Sequence, residues 1–417
     1  MTLLHLTSVM KSKPKHIAGL DIGTSSVRVA IAEQGVSGDL TLLGLGEVPS
    51  RGLRKGVVIN IEATVAAIGE AVEQAETMAG VNLNSVYASI SGSHLRGFSS
   101  NGIVGIRGKE VALYDIEKVM EAAKAVAIPM DREVLHVLPQ EFIIDDQDGI
   151  REPIGMSGVR LEARVHMVTG SISSAQNVVK CANRCGLTVK DIIASTLSSG
   201  SSVIGAEEQE LGVCLVDIGG GTTDVAVYHG GSVRHTSVIS VGGGHITNDI
   251  AAGLRTPIAA AEKIKCEYGS AITHAGNRND TVEVASTGGR PPRVLSRMVL
   301  SEIIEPRVTE IFQLVKNDLH EAELGESIAS GIVLTGGTSN LEGVVELAER
   351  VFELPVRVGM PQSLKGMRDM IQHPEYATVV GLILHGAKVV SVKPFGDNKG
   401  FVRGTIQRVS DWFVEHF

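Results

Sequence analysis

The stretch LVDIGGGTTDVAVY, from Leu215 to Tyr228, has a near-copy far upstream in GLDIGTSSVRVAIA, from Gly19 to Ala32. When the two are laid over each other without a gap, Asp21 falls on Asp217. Each copy starts with an apolar run that predicts a buried strand, passes through a glycine turn and continues as a second β-rich stretch. The glycine turn therefore joins strand to strand, and the repeat predicts two related α/β halves.

A turn between two strands excludes the two common phosphate loops, because Walker and Rossmann loops lead from a strand into a helix. Glycine still suits a phosphate, since it lets backbone approach closely and adopt positive φ, and exposed N–H groups bind anions. We expect Asp21 and Asp217, at the strand ends, to hold a hydrated Mg²⁺ beside the phosphates. The predicted phosphate-binding residues of the two turns are Gly23, Thr24, Ser25, Ser26, Gly219, Gly220, Gly221, Thr222 and Thr223.

Two further segments predict the rest of a nucleotide site. GIVLTGGTSNLEG, from Gly331, reads as a strand, a Gly-Gly turn and a helix capped by Ser339 or Asn340, which suits the adenosine or phosphate side. A second helix is expected to start after Thr256-Pro257 and to end at Gly269. The predicted adenosine-side residues are Glu262, Lys265, Gly336, Gly337 and Thr338. For Glu262 and Lys265 the alternative is a solvated ion pair one helical turn apart.

Composition limits the class of protein. A chain of 417 residues predicts two or more domains, and its formal net charge of −9 argues against a nucleic-acid partner. Its four cysteines form no CxxC pair or metal-ligand spacing, which suits a reducing cytoplasm. No run of 18 apolar residues predicts a membrane span, and the start of the chain lacks the basic region and cleavage site of a signal peptide.

The last 17 residues, FVRGTIQRVSDWFVEHF, contain the only tryptophan and follow the Pro/Gly/polar segment SVKPFGDNKG. Wound as a helix, they place an apolar stripe between arginines, which is typical of an interfacial helix on a flexible tether. The residues predicted to enter an anionic membrane surface are Phe401, Val402, Ile406, Val409, Trp412, Phe413 and Phe417. The alternative is a helix that docks on its own domain. One such tail is expected to bind weakly, and a row of linked subunits to bind by avidity.

The two phosphate turns, the TGG turn and the AEKIK helix resemble the actin, Hsp70 and sugar-kinase superfamily. Over nearly its full length the chain resembles the FtsA family of bacterial cell-division proteins. The segments that carry the second resemblance are SRGLRKGVV (50–58), VLHVLPQEFIID (134–145), PIGMSGVRLEARVHMVTG (153–170), NRCGL (183–187), ELGVCLVDIGGGTTDVAVY (210–228), GGRPPR (288–293), IIEPR (303–307) and GIVLTGG (331–337).

The resemblance implies an α/β, actin-like two-lobed fold, with duplicated ribonuclease-H-like halves, inserted subdomains and a C-terminal amphipathic helix. The implied domains are 1A (15–91 and 170–203), 1C (92–169), 2A (204–255 and 326–388), 2B (256–325), a linker (389–400) and the membrane-targeting helix (401–417).

The resemblance also implies a function. Such a protein binds ATP with Mg²⁺, polymerises into protofilaments on the cytoplasmic face of the inner membrane at the septum, and anchors FtsZ there. Domain 1C would contact other division proteins, and Arg297 and Arg307 of domain 2B would receive the FtsZ C-terminal tail. Asp21, Asp217 and Asp224 are candidates for orienting an attacking water, with slow turnover at most.

Two alternatives stay open at this point. A PilM-like pilus assembly protein shares the actin-like core, although the GGRPPR and PIGMSGVR segments favour the division family. A sugar kinase shares the GLDIGTSSVR opening, but it has no use for an amphipathic tail.

Overall fold

The computed structural model describes residues 15–273, 280–288, 290–362 and 364–391. The predicted membrane helix, 401–417, and residues 392–400 of the predicted linker lie outside these ranges.

The first half begins with a strand meander that contains the first glycine turn. Its elements are β1 (Lys15–Ile22), β2 (Ser26–Gln34), β3 (Leu40–Pro49), β4 (Leu53–Arg54), β5 (Val57–Val58), α1 (Ile61–Ala79) and β6 (Ser85–Ile90). Helix α1 starts where the Asn60 side chain accepts from the Ala63 N–H, and it ends at Gly80 with φ 67°.

A small α/β unit then interrupts this half. It consists of β7 (Arg96–Gly105), α2 (Leu113–Lys124), β8 (Arg132–Ile144), β9 (Gln147–Ile150) and β10 (Arg160–Ser171), and its strands form one sheet in the order β7-β10-β8-β9. Helix α2 lies on β7, where a Cβ added at Gly102 would be 2.1 Å from the Val119 carbonyl. The chain returns to the first half through α3 (Ile172–Arg184), β11 (Thr188–Ala194) and α4 (Ser195–Val203).

The second half repeats the strand–turn–strand pattern. Its elements are α5 (Ala206–Leu211), β12 (Val213–Ile218), β13 (Thr223–His229), β14 (Ser232–Ile239), α6 (Gly243–Leu254), α7 (Ile258–Tyr268), β15 (Thr281–Val284), β16 (Arg293–Ser296), α8 (Arg297–Glu321), β17 (Ile332–Thr335), α9 (Val344–Phe352), β18 (Val356–Val358), β19 (Lys365–Gly366) and α10 (Ala377–Ser391). The predicted start and end of α7 are confirmed.

Two mixed sheets carry the two glycine turns. The first has the order β11-β6-β1-β2-β3-β19 and the second has the order β14-β13-β12-β17-β18. In both, an antiparallel hairpin (β1–β2 or β12–β13) lies beside a parallel strand, β6 or β17. This shared arrangement places both turns at the carboxyl end of a central strand, where ligand sites of open α/β sheets form.

The inserted unit contacts the second half as well as the first. The Gln140 amide donates to the Val233 carbonyl at 2.9 Å, and His166 Nε2 lies 2.8 Å from Thr236 Oγ1. Both oxygens of Glu210 accept from Arg151 at 2.7 Å. The unit therefore bridges the two halves at β14.

The C-terminal part of the predicted domain 2A packs elsewhere than the sequence analysis placed it. Residues 326–388 were assigned to the second half, but β19 pairs with β3 and α10 packs on the first sheet, with Val379, Leu382 and Ile383 in its core. Contact is close because Gly19 has no side chain, and a Cβ there would meet the Val379 carbonyl at 2.8 Å. Helix α10 also continues to Ser391, so the predicted linker starts later than residue 389.

The predicted helix cap after the TGG turn is wrong. Neither Ser339 nor Asn340 caps a helix, because residues Gly337–Asn340 form one turn of 3₁₀ helix and Leu341 is extended. The chain then bridges to Ser270, and α9 begins after Gly343, which has φ 73°. The side-chain oxygens of Ser339 and Asn340 suggested a helix cap. Leu341 is extended and Glu342 pairs with Ser270, so the helix begins only at Val344.

Candidate functional site

The two glycine turns are closed in the same way. The Gly23 N–H donates to the Ser26 carbonyl at 3.0 Å, and the Gly219 N–H donates to the Thr222 carbonyl at 2.9 Å. These are equivalent positions of the repeat. The repeated sequence therefore forms a repeated hydrogen-bonded turn.

The two turns face each other across the boundary between the halves. A Cβ added at Gly220 would lie 1.9 Å from Ser25 Oγ, and one added at Gly221 would lie 2.5 Å from Thr24 Oγ1. Thr24 Oγ1 also accepts from the Gly56 N–H at 2.9 Å. Backbone N–H groups and hydroxyls of both halves thus converge, which is the chemistry that binds phosphate oxygens.

Thr223 does not join this group. It is fully buried and its hydroxyl donates to the Val241 carbonyl at 2.8 Å. Successive strand residues face opposite sides of the sheet, so Thr223 points away from the turn while Thr222 points towards it. Thr222 Oγ1 lies 3.3 Å from Ser91 Oγ, at the boundary between the halves.

Buried carboxylates lie directly behind the turns. Asp21 and Asp217 are each 8% exposed. Burial raises the pKa of Asp217 to about 7, helped by the neighbouring Asp224 and opposed by a hydrogen bond from Ser199. Burial also raises the pKa of Asp21, although Arg28 opposes that rise. Carboxylates held together against their own repulsion are suited to a cation.

The two carboxylates available here suit Mg²⁺ better than they suit a metal ion whose ligands all come from the protein. Within the described ranges, no group of three or more His, Cys, Asp or Glu side chains is arranged to hold an ion. Mg²⁺ prefers one or two carboxylates and completes its shell with water and phosphate oxygens. Asp21 and Asp217 would hold it there, and it would supply charge neutralisation beside the phosphates.

Sequence reasoning missed two serines, Ser89 in β6 and Ser91 directly after it. The Ser89 hydroxyl donates to Asp21 at 2.7 Å, and the Ser91 hydroxyl donates to both oxygens of Asp224, at 3.0 and 2.7 Å. Burial raises the pKa of Asp224 to about 6, and these hydrogen bonds oppose the rise. Small polar residues after a buried strand, in SISGS, were the available signal.

The predicted adenosine-side residues meet at the other side of the second turn. A Cβ added at Gly336 would lie 2.4 Å from Asp217 Oδ1, and Gly336 has φ 82°. Thr338 Oγ1 donates to the Gly219 carbonyl at 3.4 Å. A Cβ added at Gly243 would lie 2.4 Å from Thr338 Oγ1 and 3.5 Å from Lys265 Nζ. Glycine at these positions keeps backbone open beside the second glycine turn.

Gly242–Gly244, which the sequence analysis did not assign, also lie beside the second glycine turn. The Gly243 and Gly244 N–H groups donate to the Gly219 and Gly220 carbonyls at 2.9 and 2.7 Å. These hydrogen bonds join the start of α6 to the second glycine turn. A run of three glycines before a helix was the signal for it.

Glu262 and Lys265 form an ion pair one helical turn apart, but it differs from the solvated pair given as the alternative because Lys265 is buried. Lys265 Nζ donates to Glu262 at 2.8 Å, to Thr247 Oγ1 at 3.0 Å and to the Gly243 carbonyl at 3.3 Å. The Lys265 side chain is 9% exposed while that of Glu262 is 47% exposed. The pair is therefore hydrogen-bonded to the start of α6 at Gly243, and the Glu262 carboxylate is its more exposed member.

The two arginines proposed for peptide binding have partners within the chain. Arg307 donates to both oxygens of Asp249, at 2.6 and 3.1 Å, and also to Glu310. Arg297, the first residue of α8, donates to the Tyr268 carbonyl at 2.7 Å and to Glu342. Arg307 has a side chain that is 27% exposed, so an acidic ligand would have to share its guanidinium with Asp249.

The apolar stripe proposed for the membrane, from Phe401 to Phe417, lies outside the described residues. Among the described residues, none of the helices is apolar over enough turns to span a bilayer.

The chain matches known family models and known proteins. A family model described as cell division protein FtsA matches residues 214–381, and a model of the SHS2 domain inserted in FtsA matches residues 92–169. The chain is 52% identical to cell division protein FtsA of Pseudomonas aeruginosa, covering 89% of each chain. It is 44% identical to the protein of that name from Neisseria meningitidis serogroup B, covering 98% of this chain and 100% of the relative.

Among solved structures, the PilM–PilN type IV pilus biogenesis complex resembles the chain with a TM-score of 0.64 at 18% identity, covering 89% of this chain and 98% of that one. MreB5 of Spiroplasma citri bound to ADP resembles it with a TM-score of 0.55 at 16% identity, covering 91% and 99%. At these identities the likeness shows the actin-like fold alone.

Proposed function

The chain belongs to the FtsA family of cell-division proteins, and from this premise we propose that it is an ATP-binding scaffold of the division machinery. In this proposal it polymerises on the cytoplasmic face of the inner membrane, anchors FtsZ through the FtsZ C-terminal tail, and recruits later division proteins through the inserted unit 92–169.

One observation carries the nucleotide part of the proposal. The two glycine turns come from halves 196 residues apart and lie within contact distance, with Asp21 and Asp217 buried behind them. A triphosphate between them would bind N–H groups and hydroxyls of both halves at once. Nucleotide would thereby favour one arrangement of the halves, which is what a conformational ligand requires.

Slow hydrolysis at most is part of the proposal. Asp224 is the best-placed group to orient a water, because it is held by Ser91 at the boundary of the halves. A turnover of many per second would contradict this expectation.

The pilus-assembly and sugar-kinase alternatives have weaker support. Likeness to the PilM–PilN complex rests on the fold at 18% identity, whereas the division relatives share 44–52% of their residues. We therefore keep cell division as the single proposed role.

The test is a co-pelleting assay of the full chain with ATP and Mg²⁺, anionic vesicles and an FtsZ tail peptide. All three ligands should bind. Arg307→Gln should weaken the peptide alone, because the guanidinium is its proposed partner. The matched control is Arg350→Gln, an exposed arginine paired with Glu305 on another helix.

Asp249→Asn sharpens this test. Removing the carboxylate frees the Arg307 guanidinium from its bidentate partner. Peptide affinity should then rise, and an unchanged affinity would show that the peptide does not bind Arg307. If none of the three ligands binds to the unaltered protein, the proposed function is wrong.

A further inference from the structure

Both ends of the described chain leave the molecule at one edge of the first sheet. Lys15, the first residue of β1, pairs with Gln34, and the Gln34 side-chain amide donates to the Ala387 carbonyl in the last turn of α10 at 3.4 Å. Helix α10 ends at Ser391, so the C-terminal segment starts beside β1.

This edge lies opposite the phosphate turn of the same sheet. Strand β1 runs from Lys15 to the turn at Gly23, and β6 and β11 run parallel to it. The starts of these three strands therefore share one edge, and the nucleotide site lies at the other.

Unpaired ammonium groups cluster at this edge. Lys15, Lys190 and Lys388 are exposed, and none of them forms an ion pair with a residue in the described ranges. Burial lowers the pKa of Lys190 and the neighbouring Lys15 lowers it further, so the two ammonium groups lie close together. Lys190 Nζ also lies 5.6 Å from the centre of the Tyr87 ring.

The carboxylates at this edge already have basic partners. Glu33 lies 3.7 Å from His16, Asp191 lies 3.3 Å from His385, and Asp39 lies 2.9 Å from Lys365. On the adjacent β2–β3 turn, Val36 is 88% exposed. Free ammonium groups beside an exposed aliphatic side chain are the combination that contacts a lipid headgroup region.

Chain length keeps this edge near the proposed membrane helix. Residues 392–400 separate Ser391 from that helix, and nine residues span at most roughly 30 Å when fully extended. A bilayer that binds residues 401–417 is therefore always within that distance of the edge.

We infer that the edge carrying Lys15, Lys190 and Lys388 faces the anionic bilayer and is a second, electrostatic membrane contact, with the nucleotide cleft directed away from the lipid. This inference rests on the proposed membrane role. Each basic residue near an anionic surface contributes about a fivefold gain in binding. Attraction of this kind weakens as salt rises, because the Debye length shortens.

The test uses the full chain and sedimentation with vesicles of phosphatidylcholine, with and without phosphatidylglycerol. The triple variant Lys15→Gln, Lys190→Gln, Lys388→Gln should lose at least about tenfold in partitioning to the anionic vesicles at low salt and much less at high salt. Binding to neutral vesicles should stay unchanged, because the apolar tail is intact.

Two matched variants complete the test. Lys15→Arg, Lys190→Arg, Lys388→Arg keeps the charge and should bind like the unaltered protein, which separates charge from folding. Lys109→Gln, Lys180→Gln, Lys263→Gln removes the same charge from exposed lysines elsewhere and should have little effect. Equal losses in the two glutamine variants, or no loss at the edge, would overturn the inference. Failure of the unaltered protein to bind any vesicle would instead overturn the proposed membrane role.

Discussion

At the scale of single residues, the site is a set of carboxylates that the fold keeps out of water. Asp217 and Asp224 are neighbours across the β12–β13 hairpin, and both have raised pKa values, of about 7 and about 6. In the first copy, the position equivalent to Asp224 is Arg28, which pairs with Glu47 at 2.7 Å. The two copies therefore share the turn. The strand that follows it carries a basic side chain in the first copy and an acidic one in the second.

The raised pKa of Asp217 predicts how Mg²⁺ binding depends on pH. Its folded pKa of about 7 lies above its ordinary value of 3.8, so between these values the folded protein holds a proton that the unfolded chain has lost, and the free energy of unfolding falls as pH rises through that window to 7. Mg²⁺ needs the ionised form, so the gain in ATP affinity that Mg²⁺ provides should grow between about pH 6 and pH 8, by up to roughly tenfold per unit below the pKa.

Calorimetric titration of ATP with and without Mg²⁺ measures this gain. Asp217→Asn should remove most of the gain and its pH dependence while leaving the protein folded, since the amide is nearly isosteric. A gain that is equally large in the variant would show that Asp217 holds no metal.

Ser91 predicts an effect on the junction of the halves. Its hydroxyl donates to both Asp224 oxygens, so Ser91→Ala leaves a buried carboxylate short of a donor. The free energy of unfolding should fall by about 1–3 kcal/mol, and ATP affinity should fall with it. Urea unfolding checks the first effect and titration checks the second. Ser93→Ala, an exposed serine of the same loop, is the control and should change neither.

At the scale of elements, the arrangement depends on glycines that let backbones touch. Helix α10 crosses α4 where a Cβ added at Gly381 would lie 1.8 Å from the Ser198 carbonyl. The Ser198 and Ser202 hydroxyls donate to the Thr378 and Ala377 carbonyls, both at 2.8 Å. This contact fixes α10 on the first half.

Gly381→Ala should therefore destabilise the protein, by about 1–3 kcal/mol, because the methyl group meets backbone that cannot rotate away. Gly69→Ala is a matched control in the middle of α1, where an added Cβ meets nothing within 4 Å. That variant should be neutral or stabilise the protein by about 0.5–1 kcal/mol through its higher helix propensity. Thermal or urea unfolding of both variants gives the comparison, and equal effects would contradict this account of the α10 contact.

At the scale of the whole molecule, the inserted unit spans both halves. It is continuous with the first half through β6 and α3, and it contacts the second half through His166, Gln140 and Arg151. A change in the angle between the halves must therefore move this unit relative to at least one of them. The proposed nucleotide site and the inserted unit are in this way mechanically connected.

Deleting residues 401–417 tests the proposed membrane tether at this scale. Pelleting with anionic vesicles should fall by at least about tenfold, because in the proposed role the apolar side chains of the tail would supply most of the binding and linked subunits would multiply it. ATP affinity should stay unchanged, since the cleft lies at the other end of the first sheet. Membrane binding that survives the deletion at full strength would show that the tail is not the anchor.

The sequence by itself determined the parts of this protein that depend on local chemistry. The repeat predicted two strand–turn–strand units, because each copy places a β-rich stretch on both sides of a short glycine-containing turn. The limits of α7 were predictable from local chemistry as well, because Thr256-Pro257 precedes the helix and Gly269 follows it. The family was recognisable from long motifs, and the relatives confirm it.

Only the tertiary structure decided which distant groups share the site and which are already engaged. Ser89, Ser91 and Gly243 join the turns, Thr223 turns away, and Arg307 is held by Asp249. The placement of α10 on the first half and the extended backbone before α9 were decided there too. These outcomes depend on contacts between segments far apart in the chain. Short-range sequence patterns do not specify which distant segments will pack together.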